Sequence, residues 1–260
     1  MANVHPFISE LEREVDQHPA IHHSFLRLVS SRKFSRAAWA AFATQLHPHV
    51  HFFIPYMEEL LLNTSDCSAK LIVAKILLDE YGADAHGDTH PELFLRFVRA
   101  AGGDDAVSEL FTAGIDPATA DMVNTHMRLC RDEPFLVGLG AIGPAHELAI
   151  TRMFPPLVEG VRIAGFTDRE IEFFSLHVAH DHEHSQMLGD AVIKMADSED
   201  KKELVRRGMR TSLERRVALW SAMEARMVAI DEGRPPPLTV TSLPQLTARY
   251  PHVPDQFWTF

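Results

Sequence analysis

Apolar residues recur at spacings of three and four along most of the chain, and no alternating apolar–polar run of useful length interrupts them. The pattern predicts helices. Two short amphipathic segments, near residues 11–15 and 25–28, are separated by His18-Pro19. Ser35 is a suitable N-cap for a long helix through Leu62, with Pro48 and Pro55 predicting kinks inside it. Ser65-Asp66 restarts the chain, and a second long helix runs to about Tyr81, where Gly82 is a suitable C-cap. A polar loop leads to His90-Pro91-Glu92, which opens another helix with proline where the first turn tolerates it. Gly102-Gly103 and Gly114 punctuate short connections, and Asp116-Pro117-Ala118 starts a helix to about Cys130. The next helix runs from about Glu133 to Phe154 and is expected to end at Pro155-Pro156. Thr167-Asp168-Arg169-Glu170 resembles a capping box for a helix through Asp190, and Ser198 to Asp231 forms the last long helix.

This order of elements predicts one all-α domain over residues 1–232, followed by a proline- and aromatic-containing tail over 233–260 that packs on the body or on a neighbour. At 46% apolar and 23% charged, the chain has the balance of an ordinary globule. A net charge of −11 disfavours a nucleic-acid surface, which needs a basic field. Two cysteines, Cys67 and Cys130, exclude a disulfide scaffold or a cysteine-rich metal site. Residues 135–145, the longest nearly apolar run, are too few to span a bilayer, and no signal peptide is visible, so a cytoplasmic protein without a membrane partner is expected. One feature is unusual: 16 histidines, many beside carboxylates.

The helix after Thr167 contains His177-Val178-Ala179-His180-Asp181-His182-Glu183-His184. At 3.6 residues per turn, His177, Asp181 and His184 share one face, with Phe173 and Leu188 on the same stripe beyond each end. A polar trio inside an apolar face is costly unless something binds it, and a divalent cation satisfies lone pairs and cancels charge together. His182 points away from this face; His180 borders it and could support the ligands from outside. Glu80 closes an apolar stripe formed by Val73, Ile76 and Leu77, whereas Asp79 shares a face with Lys75, the usual surface ion-pair arrangement. His90 stands ten residues after Glu80. Glu147 has Gly140 and Gly143 on its face, which suggests room for an ion or small ligand, and His146 beside it is the alternative inward residue. On the long first core helix His47, His51, Ile54 and Glu58 form one stripe, and Gln45, His49, Phe52, Tyr56 and Glu59 another; any of these polar residues could add a ligand.

Glu80, His90, Glu147, His177, Asp181 and His184 together give three carboxylates and three imidazoles. That mixture suits iron or manganese better than structural zinc. Six ligands are too many for one catalytic ion with an open position, so two ions fit better.

These residues resemble the heme-oxygenase-like di-iron oxidase family, relatives of the TenA and PqqC helical bundles. The resemblance rests on four features in order: the glutamate of Leu78-Asp79-Glu80-Tyr81-Gly82, the histidine of His90-Pro91-Glu92-Leu93-Phe94, the lone Glu147, and the run His177-x3-Asp181-x2-His184. It covers about residues 20–230 and implies a seven-helix bundle. The implied cofactors are two ferrous ions, or a manganese–iron pair, with dioxygen as co-substrate. Some members carry one more carboxylate ligand on the first core helix; His51 stands in that slot here, with Glu58 or Glu59 one or two turns later. The implied activity is oxygenation of a small metabolite, with N-oxygenation of an amine or amino acid favoured over C–C cleavage or decarboxylation of an amino acid or fatty acid. An external electron donor and a homodimer are compatible with it. The branch that makes aminobenzoate from its own side chains uses a tyrosine and a lysine near the metals. This chain has only Tyr56, Tyr81 and Tyr250, and no lysine between Glu147 and Lys194, which disfavours that route.

Four other readings compete. His180-Asp181 is also the dyad of HD-type metal phosphohydrolases, with Asp190 as the downstream acid, but Glu80, His90 and Glu147 would then be unused. A metal-free hydrolase needs a nucleophile, and neither cysteine falls at an evident pocket position. Ferritin-like sites use Glu-x-x-His, which is absent. A non-enzymatic bundle that binds a partner through residues 250–260 is the remaining class.

Overall fold

In the computed structural model the described residues are 5–83, 85–109 and 114–237. Among them there are helices and no strand: α1 (Pro6–Gln17), α2 (Ser24–Ser31), α3 (Arg36–His51), α4 (Phe53–Leu62), α5 (Cys67–Glu80), α6 (His90–Glu109), α7 (Pro117–Arg131), α8 (Phe135–Ile142), a π-helical turn (Gly143–Leu148), α9 (Ala149–Ile163), α10 (Glu172–Met195) and α11 (Glu199–Asp231). No helix among the described residues is long and apolar enough to cross a membrane. Most of the expected tail, residues 238–260, lies outside the described residues.

The helix starts follow local chemistry. Ser35 accepts from the Ala38 amide, and Asp116 from Ala118. Two reciprocal capping boxes form: the Thr89 amide donates to Glu92 at 2.7 Å, and the Thr167 amide to Glu170 at 2.7 Å. Gly82, at φ +100°, turns the chain out of α5, and a Cβ there would lie 2.7 Å from the Asp88 carbonyl.

Four boundaries differ from the sequence pattern. The Thr167–Glu170 box closes a turn, and α10 itself begins at Glu172 with Ile171 as its N-cap and no side-chain cap. The helix predicted to run from Ser35 to Leu62 breaks at Phe52, between Pro48 and Pro55, into α3 and α4. Gly102-Gly103 does not end α6; the chain passes through Gly103 at φ 71° as a kink. Pro155-Pro156 does not end the helix either, and α9 continues to Ile163. An interior proline costs about 3 kcal/mol, whereas each buried large apolar side chain returns about 1.5–3 kcal/mol, and α9 buries Phe154, Leu157, Val158 and Val161. Pro155 is exposed and Pro156 half-buried, so water can reach the carbonyls left without partners.

α11 lies along α8, α3 and α7, and its crossing with α8 needs two glycines. A Cβ on Gly140 would sit 2.0 Å from the Val205 carbonyl oxygen, and one on Gly208 would sit 1.9 Å from that of Val137. Gly140 is therefore a close-packing residue, a correction to the sequence reading that gave it a pocket role. Gly143 faces Leu188, and the small cavity it lines is a separate one, bordered by Ile8, Leu11 and Gly189. α10 packs on α9, α5, α6 and the π-helical turn, and so touches the elements that carry Glu80, His90 and Glu147.

Candidate metal centre

The six residues singled out by sequence fall into two groups on the inner face of α10. Glu80, His90 and His177 each present a donor atom within 4.8 Å of the others, and so do Glu147, Asp181 and His184; all six are buried. Glu80 is the last residue of α5 and His90 the first of α6. The Gly82 turn and the Thr89–Glu92 box fold that loop back so that His90 Nδ1 lies 3.0 Å from Glu80 Oε1. Glu147 sits in the π-helical turn that starts at Gly143-Pro144, where proline supplies no amide for the ordinary ladder.

Imidazole tautomers follow from what each second nitrogen does. His177 Nδ1 lies 2.6 Å from the Phe173 carbonyl, to which it donates, leaving the Nε2 lone pair for the first group. His184 Nε2 donates to Asp79 Oδ2 at 3.1 Å, leaving Nδ1 turned to Glu147 Oε2 at 3.5 Å. That separation is long for a hydrogen bond, and the buried His184 Nδ1 makes none. Burial works to lower the His184 pKa, but Glu147 and then Asp79 outweigh it and raise it to about 9. Burial also raises the Glu147 carboxyl, with His184 opposing. The carboxylates thus favour positive charge at His184, which a divalent cation could supply instead of a proton. The buried carboxylates, the orphaned His184 Nδ1 and the fixed tautomers fit a metal in each group. Asp79 corrects the sequence reading, which placed it in a surface pair with Lys75.

The remaining candidates lie apart. His51 is buried and stacked on His47 with centroids 5.5 Å apart, and Glu58 accepts from the Tyr81 hydroxyl at 2.7 Å; neither joins a triad. His180 is half-buried at the border of the face, and His182 is exposed with Nε2 on Gln186. Asp181 of the His180-Asp181 dyad belongs to the Glu147 group, and His180 does not, which removes the geometry the phosphohydrolase reading needs. Cys130 is buried with its thiol pKa pushed up by burial, and Cys67 is exposed.

A narrow cavity opens beside the first group. Glu80, His90 and His177 line it; Phe53, Ile150, Phe154 and Phe173 are among its apolar wall; His49, His146 and Arg216 also line it. The sequence left His146 and Glu147 as alternatives, and the π-helical turn brings both inside, His146 to the cavity and Glu147 to the second group. Sequence reasoning missed Arg216. Its signal was present: Arg216 interrupts the stripe Met209, Leu213, Leu219, Trp220, Met223 on α11, all buried.

A solved domain with a heme oxygenase-like fold from Shewanella denitrificans superposes with a TM-score of 0.67 at 15% identity, covering 90% of this chain and 95% of that one. The bundle therefore has the heme-oxygenase-like fold. A family model described as iron-containing redox enzyme matches residues 40–217, and the chain belongs to that family. It is 33% identical over 178 residues to a 4-aminobenzoate synthase of Nitrosomonas europaea, covering 67% of this chain and 68% of that protein. It is 25% identical over 187 residues to a 4-aminobenzoate synthase of Chlamydia pneumoniae, covering 70% and 81%. The chain is an oxidoreductase of the iron-containing kind.

Proposed function

We propose that this protein is a dinuclear iron oxidase that uses dioxygen on a small metabolite. The observation that carries the reading is the pair of buried triads, Glu80–His90–His177 and Glu147–Asp181–His184, side by side on α10. Bound iron would supply the electron-transfer chemistry that dioxygen requires. The protein's own part is to fix ligand tautomers through Phe173 and Asp79, to exclude water with Phe154 and Phe173, and to hold a substrate in the cavity beside the first triad. N-oxygenation of an amine or amino-acid-derived compound remains the favoured chemistry. A cavity of histidines, an arginine and aromatic rings suits a small polar metabolite better than a fatty acid chain.

The names of the two relatives favour a second reading, formation of 4-aminobenzoate. Tyr56 is fully buried near His49 and His126, but none of the six lysines is buried, so a route that draws nitrogen from a lysine beside the metals has no donor in this cavity. Anaerobic loading with ferrous iron followed by air, with oxygen uptake followed with and without candidate amines, tests the proposal. Oxygen uptake that requires iron and accelerates with an amine supports it. Absence of iron binding with an intact helical fold contradicts it.

A further inference from the structure

Three buried arginines stand among the described residues, and two are neutralised by carboxylates. Arg206 reaches Glu10 at 2.8 Å, with Glu199 and Glu203 behind it, and Arg226 lies 3.5 Å from Asp116. Arg216 is more deeply buried than either, at 2% exposure, and no described carboxylate pairs with it. Its Nη2 instead donates to His49 Nε2 at 3.0 Å and His146 Nδ1 at 3.2 Å. Two ring nitrogens that accept from a guanidinium belong to neutral imidazoles, so they satisfy hydrogens without cancelling charge. The guanidinium Nε and His49 Nδ1, both buried, make no hydrogen bond among the described residues. His49 Nε2 accepts from Arg216, so its Nδ1 carries the proton, and both orphaned atoms are donors.

A permanent charge buried against neutral groups is costly, and a fold that needed it only for packing could use an apolar side chain of similar volume. Arg216, His49 and His146 line one cavity together with Glu80, His90 and His177, and Phe53, Ile150, Phe154 and Phe173 add apolar wall. We propose that Arg216, presented by His49 and His146, binds the carboxylate of the substrate, which makes the substrate class a small, slender monocarboxylic acid with an apolar or aromatic body. The planar fork of a guanidinium matches a carboxylate, and an anion there supplies both the missing charge and the missing acceptors. A carboxylate held there lies in the cavity that the first triad also lines. This inference rests on the reading of the cavity as the substrate site.

Calorimetry on the iron-loaded protein under nitrogen tests it, with benzoate, its uncharged analogue benzamide, and inorganic phosphate as probes. Benzoate should bind at least ~10-fold more tightly than benzamide or phosphate, and Arg216→Met should weaken benzoate by ~10-fold or more while the iron content is unchanged. Arg216→Lys should keep part of the benzoate affinity and lose part, because it retains charge without the fork. Equal binding of benzoate and benzamide, tighter binding of phosphate, no benzoate binding up to about 10 mM, or full benzoate affinity in Arg216→Met would each overturn the proposal. Should Arg216→Met fail to fold, the comparison of the three probes on the unaltered protein decides alone. A protein that holds iron and consumes oxygen but ignores the carboxylate loses only this inference; one that binds benzoate through Arg216 but takes up no iron loses the oxidase reading and keeps the pocket.

Discussion

His184 Nε2 donates to Asp79 Oδ2 across 3.1 Å, and this one contact joins the end of α5 to the middle of α10. It sets the tautomer that leaves Nδ1 facing Glu147 and Asp181. A carboxylate behind a ligating imidazole raises its basicity and fixes its plane. Asp79→Asn should therefore lower the iron affinity of the Glu147–Asp181–His184 triad by about 10–100-fold, with the other triad unaffected. Ferrous titration at limiting iron would show it, and an unchanged isotherm would remove Asp79 from the account.

Phase along α10 separates two neighbouring histidines. His184 is buried and His182 is exposed. His184→Ala should abolish iron binding at one triad and oxygen uptake while the helical circular dichroism stays. His182→Ala should be nearly silent, and loss of oxygen uptake in it would show the inward face to be wrongly assigned.

Close approach of α8 and α11 gives a stability prediction. Gly140→Ala places a methyl against the Val205 backbone and Gly208→Ala against that of Val137. Backbone cannot yield as a side-chain tip does, so each change should cost about 1–3 kcal/mol or more. Urea unfolding measures this, and midpoints equal to the parent would contradict the packing role.

Burial sets an acid limit on the metal-free fold. His126 donates through Nδ1 to the Met122 carbonyl at 2.9 Å, lies 2.9 Å from the Ser212 hydroxyl, and is driven by burial down to about 4. The unfolded histidine titrates near 6.5, so between pH 6.5 and about 4 the unfolded chain holds a proton that the folded one refuses. Stability contributed by this group is lost as pH falls through that window and is level below it. His126→Gln should flatten the decline by about 1.4 kcal/mol per pH unit at most. Denaturant midpoints from pH 7 to 4.5 on metal-free protein check the slope, and parallel curves would contradict it.

The helix starts at Ser35, His90 and Asp116 were legible because each is written in side chains that reach their own backbone amides. The face of α10 was legible because an eight-residue span with polar groups at i, i+4 and i+7 between Phe173 and Leu188 has one inward orientation. The end of α9 was not, since the rule that proline stops a helix gives way when the residues beyond it bury against the core. Gly140 was misread for a related reason: a glycine on an inward face leaves space for a ligand or for another backbone, and only the position of α11 distinguishes them. Asp79 lies outside local reach, because its partner is 105 residues away. Arg216 was readable as a charge on an apolar stripe, but what it faces required the fold.

Ferrous iron bound per chain at equilibrium, under nitrogen, addresses the central claim most directly. The two triads predict two equivalents in the unaltered protein and one in each of Glu80→Ala and Asp181→Ala, all with the same helical circular dichroism. One equivalent or none in the unaltered chain, or two retained in either variant, would contradict a pair of iron sites built from these six side chains.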